Sequence, residues 1–131
     1  MISHGIAPFL ECSSKGDKRF SAFHARIKSY ENKSIEEIYQ AFKVFEDGST
    51  NLSWREAKGR KAVNQKECAE LYSYLWKQYI LENHGLLKVL IDSTGLRDTF
   101  GKNGRCCQAT ELWKIRDAAL KHLRLQELAV L

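Results

Sequence analysis

The sequence predicts a mostly α (α+β) fold, a compact single domain of about five helices with a few short strands near the N-terminus. Three observations predict it. The 131 residues carry 44% hydrophobic and 28% charged side chains, an ordinary globular balance that suffices for one continuous core. A single proline and the lack of low-complexity tracts argue against long disordered linkers. Apolar residues recur at helical spacing in several segments, most regularly between residues 65 and 82.

Residues 1 to 17 hold Gly5, Pro8, Gly16 and Asp17 around an apolar Ile6 to Leu10 patch, which suits a short strand followed by a loop. Ala25, Ile27 and Ser29 then alternate with Arg26, Lys28 and Tyr30, as in a strand pair bent at Glu31-Asn32-Lys33. Ser34 caps a helix over residues 34 to 46, in which Ile35, Ile38, Tyr39, Phe42 and Phe45 form the apolar stripe. Glu46-Asp47-Gly48-Ser49-Thr50-Asn51 is dense in turn formers and closes it. Ser53 caps a second helix with Trp54, Ala57 and the basic Lys58, Arg60 and Lys61.

The third helix places Cys68, Leu71, Tyr72, Leu75, Trp76, Tyr79 and Ile80 on one face. Asn83-His84-Gly85 interrupts it, and Leu86 to Ile91 begins a fourth. Asp98 to Arg105 is a glycine-punctuated loop where backbone could approach a ligand. The last helix starts near Gln108 or Thr110 and aligns Leu112, Ile115, Ala119 and Leu123.

A net charge of +5 and a pI near 9.1 favour an anionic partner, either a phosphorylated small molecule or nucleic acid. Trp54, Tyr72, Tyr74, Trp76 and Tyr79 interleave with basic residues, but most fall on the core stripe, and no helix-turn-helix, zinc-finger or RRM pattern accompanies them. His4, His24, His84 and His122 are scattered, so no metal site is expected. Cys12, Cys68 and the Cys106-Cys107 pair lack disulfide or redox spacing, which points to a reducing, cytoplasmic setting. No apolar run reaches membrane-span length, and the first residues lack the regions of a signal peptide.

One polar pattern stands apart from the packing stripes. Glu36, Gln40 and Lys43 follow one another at i, i+4 and i+7, so a carboxylate, an amide and an ammonium line one side of the first helix. Periodicity alone makes this a solvated face.

The segment Phe20-Ser21-Ala22-Phe23, followed by Ser34-Ile35-Glu36-Glu37-Ile38-Tyr39-Gln40-Ala41-Phe42-Lys43, resembles the NADAR family, whose members carry F-S-N-F and then a helix of the form S-E-H-Y-x-Q-A-x-K. Ala57-Lys58-Gly59-Arg60, Leu75 to Leu90, Asp98-Thr99-Phe100-Gly101 and Leu112 to Arg116 resemble later segments of that family, so the likeness spans roughly residues 19 to 117. The chain departs from the pattern with Ala22 for Asn, Glu37 for His, either Phe100 or no residue for Trp, and Cys106 for an Asn, changes that bear on the substrate more than on the fold.

The resemblance implies an N-glycosidase, a hydrolase that needs no cofactor and acts on nucleotide-like compounds such as phosphorylated riboflavin intermediates or ADP-ribose attached to a base. Cleaving an N-glycosidic bond builds positive charge on the sugar, which a carboxylate stabilises while it activates water. Glu36 is the matching carboxylate, and Asp98 is placed to orient water or ribose. Gln40 and Lys43 are implied to bind sugar hydroxyls and phosphate. Arg19, Phe20 and Ser21 form the opposite wall, with Phe20 or Phe23 against the base, and Arg60, Phe100 and Gly101 complete the pocket. Two rival expectations are a nucleotide- or ADP-ribose-binding module without catalysis and a basic nucleic-acid-associated protein.

Overall fold

The computed structural model describes residues 9–13, 15–93, 95–97 and 108–130, and these form a mostly α fold of five α-helices and two two-stranded sheets. Strand β1 (Phe9–Glu11) runs parallel to β4 (Gly95–Arg97), with Leu10 opposite Leu96. A parallel pair needs a crossover, and here most of the chain lies within it. After β1 the chain folds tightly back, because Gly16 passes so close to Glu11 that a Cβ there would collide with it.

The expected strand pair is present but short. β2 (Arg26–Ile27) pairs antiparallel with β3 (Lys33–Ser34), and the reversal runs through Glu31 and Asn32 at φ 59° and 58°. Lys28–Tyr30 is a 3-10 turn rather than a strand. Glu82 is the reason: its carboxylate accepts from the backbone N–H of Lys28 at 2.7 Å and of Ser29 at 3.3 Å, drawing those donors out of any ladder.

Helix α1 (Ile35–Phe42) opens with a full capping box, in which the Ser34 hydroxyl accepts from Glu37 N–H and the Glu37 carboxylate accepts from Ser34 N–H. It ends at Phe42, short of the expected residue 46, and Lys43 is already extended. Asn64 donates to the Phe42 carbonyl at 3.0 Å and accepts from Val44 N–H at 2.9 Å, while the Thr50 hydroxyl donates to the Lys43 carbonyl at 2.8 Å. These side chains satisfy the backbone where another helical turn would have done so. Phe45 therefore leaves the helix stripe and packs with Ala57 and Ala62 in a small second cluster.

Helix α2 (Trp54–Ala57) is a single turn capped by Ser53, so Lys58, Arg60 and Lys61 follow the helix instead of belonging to it. Gly59, at φ 81°, carries the chain out of it. Helix α3 (Gln65–Glu82) matches its predicted span and buries Cys68, Tyr72, Leu75, Trp76, Tyr79 and Ile80. Helices α4 (Gly85–Asp92) and α5 (Gln108–Val130) close the main core, where Phe20, Ile27, Ile35, Leu75, Trp76, Leu90 and Leu112 have no exposed surface. The Arg116 guanidinium ties α5 to the end of α4 by donating to the Leu90 carbonyl at 3.0 Å. No helix among the described residues is long and apolar enough to cross a membrane.

Candidate functional site

Helix α1 is rotated relative to its apolar stripe. Ile35 is fully buried, but Phe42, expected in the core, is 43% exposed, while Glu36, Gln40 and Lys43 are all buried. The buried arc thus lies about a quarter of a turn away from the apolar arc, toward the polar line. The line expected as a wet surface is an interior seam.

Within that seam the Gln40 amide donates to the Glu36 carboxylate at 2.7 Å. Among the described residues Gln40 Oε1 is buried without a hydrogen-bond partner, in a place where unpaired acceptors are costly. The Lys43 ammonium lies 3.4 Å from the carbonyls of both Ala57 and Arg60, and 5.5 Å from the centre of the Tyr39 ring. At the other end, Glu36 N–H donates to the Ala22 carbonyl at 2.9 Å, and Ala22 N–H donates to the Gln108 side chain at 2.7 Å. Three segments therefore meet at the seam: residues 21 to 24, residues 57 to 60, and the first turn of α5. Carboxylate, amide and ammonium stand in order, able to offer an anionic acceptor, a mixed polar contact and a cation to one ligand.

The remaining predicted residues divide. Phe23 stays near the seam, 38% exposed, and packs edge-on against Trp54. Phe20, expected on the opposite wall, is a fully buried member of the main core. Ser21 is equally buried, with its hydroxyl 3.2 Å from His24 Nδ1. The Arg19 guanidinium turns away to Asp17, making bonds of 3.0 and 2.8 Å that hold the Asp17 carboxyl below its ordinary range and raise Arg19. Arg60 reaches the seam through its carbonyl, while its guanidinium sits 4.0 Å from the centre of the Phe45 ring. Asp98, Phe100, Gly101 and Cys106 lie outside the described residues.

A groove of about 590 Å³ is lined by Tyr30, Glu37, Ile38, Phe42, Leu52 and Trp54 among others, and its lining does not include Glu36, Gln40 or Lys43. Among the described residues, no three His, Cys, Asp or Glu side chains gather as metal ligands. Two groups near these segments are not among the predicted site residues. Gln108 has no local signal, since its partner Ala22 is 86 residues away. Trp54 and Lys58 do have one, an aromatic and a cation four residues apart at the end of a capped turn.

No protein-family model, curated protein or solved structure matches this chain.

Proposed function

We propose that the protein is a NADAR-like N-glycosidase acting on a nucleotide-like or ADP-ribosylated substrate, with Glu36 as the carboxylate beside the anomeric carbon. The observation that carries the reading is the buried Glu36–Gln40 pair at 2.7 Å, whose remaining acceptor, Gln40 Oε1, has no hydrogen-bond partner among the described residues. Ordinary solvated i, i+4 pairs are exposed, worth a few tenths of a kcal/mol at most (~0.5), and carry no such orphan.

In this chemistry the C1′–N bond breaks as water adds to C1′. Glu36 opposes the positive charge that develops on the sugar and takes a proton from the attacking water, and the departing base acquires a proton from solvent. Gln40 holds the carboxylate with its N–H and offers Oε1 to a sugar hydroxyl. Lys43, one turn further on, suits a phosphate or a second hydroxyl. Asp98 retains the role that the family resemblance gives it, orienting water or ribose.

The test is incubation of the protein with nucleotides, riboflavin intermediates and ADP-ribosylated bases, with mass spectrometry of what is recovered. Free base and sugar support the hydrolase. A ligand retained and recovered unchanged supports the binding module instead, which the same seam would serve without turnover.

A further inference from the structure

We infer that Phe23, Trp54 and Lys58, with Arg55 beside the indole, form a subsite for a planar heteroaromatic base carrying a phosphate. It would sit at the rim of the Glu36–Gln40–Lys43 seam. The proposed hydrolysis enters only in placing the sugar at Glu36; the subsite itself stands on its own geometry.

The two rings come from segments 31 positions apart in the sequence and meet edge to face, with centroids 5.4 Å apart and planes at 82°. Neither ring belongs to an apolar core cluster, and Phe23 is 38% exposed while Trp54 is half-buried. Single exposed aromatics are common, whereas two partly exposed rings in contact outside the core make a platform of the kind on which bases stack. The Lys58 ammonium lies 5.0 Å from the Phe23 centroid and 5.7 Å from that of Trp54, and the Arg55 guanidinium lies 5.3 Å from the indole. Among the described residues neither cation forms an ion pair with a carboxylate. Two uncompensated positive charges beside two rings suit a ligand that brings both a π-face and an anion. An acidic peptide would use the cations and leave the rings idle; a phosphorylated nucleotide uses both.

Position favours the same ligand. Phe23 follows Ala22, whose carbonyl holds Glu36 N–H, and Lys58 follows Ala57, whose carbonyl receives the Lys43 ammonium. The contact of Lys58 with Phe23 therefore joins the two segments that bound the seam, which sets the subsite beside a sugar held at Glu36.

The experiment is titration of the full chain with AMP, adenosine and ribose 5-phosphate, followed by tryptophan fluorescence and calorimetry. AMP should bind roughly tenfold or more tightly than ribose 5-phosphate. Trp54→Ala should abolish that preference without changing ribose 5-phosphate binding, and Trp54→Phe should keep most of it, which separates stacking from misfolding. Lys58→Gln should weaken AMP several-fold and leave adenosine unchanged. Equal binding of AMP and ribose 5-phosphate, no binding of AMP, or a preference that survives Trp54→Ala overturns the inference. None of these readouts needs turnover, so a protein that binds AMP in this way yet hydrolyses nothing would refute the glycosidase and leave the subsite standing.

Discussion

The Gln40 side-chain amide donates to the Glu36 carboxylate at 2.7 Å across one turn of α1, with both side chains buried. This bond fixes the amide's orientation, since a flip would set its oxygen against the carboxylate. Gln40→Glu replaces the donor with a second carboxylate. Two carboxylates this close repel one another when both are ionised and do not when one holds a proton. The stability loss is then small below about pH 4 and grows as pH rises above it, to roughly 3 kcal/mol at pH 8. Urea midpoints at pH 4 and pH 8 check this, and a deficit independent of pH contradicts it.

Rotation of α1 toward its polar line makes two apolar substitutions unequal. Ile35→Ala empties a fully buried position and should cost about 2–4 kcal/mol. Phe42→Ala removes a ring that is 43% exposed and should cost less than about 1 kcal/mol, despite the larger side chain. Denaturant unfolding of the two variants decides it, and the reverse ranking would restore the stripe predicted by periodicity.

That stripe shows where sequence reading succeeds and stops. The third helix is legible because its long apolar repeat and its burial coincide. In α1 they do not coincide, because the helix is short and partners distant in sequence choose its orientation. Ala22 and Ala57 supply carbonyls to Glu36 and Lys43, and Asn64 halts the helix at Phe42, none of which the local pattern encodes. The Glu36–Gln40–Lys43 line was legible as spacing, but its burial was not. The burial of Phe20 was not legible either, because an aromatic beside a motif looks the same in sequence whether it lines a pocket or fills the core.

The capping box gives a local prediction. Ser34→Ala removes the acceptor for Glu37 N–H and the hydroxyl bonded to the Glu37 carboxylate. It should lower stability by about 1 kcal/mol, seen as a shifted urea midpoint with an unchanged slope. Ser34→Thr, which keeps the hydroxyl, should recover most of the loss, and failure to do so would mean that the box contributes little.

Acid stability should depend on Glu82, whose pKa is lowered to about 2. Burial pushes it upward, but donors from the Gln78 amide, the Ser29 hydroxyl and the backbone N–H groups of Lys28 and Ser29 outweigh this. A depressed folded-state pKa contributes stability that is complete above the ordinary value of 4.5 and is lost as pH falls toward 2. Glu82→Gln should therefore flatten the fall in melting temperature between pH 5 and pH 2. Parallel curves for the two proteins would show that the carboxylate is not held as described.

The most direct measurement is turnover by Glu36→Gln, with the substrate identified by product analysis and the fold checked by circular dichroism. In that variant kcat should fall by roughly 10²–10⁴ while binding of the substrate changes far less. A folded Glu36→Gln protein that hydrolyses the substrate at the wild-type rate contradicts the assignment of the α1 seam as the catalytic site.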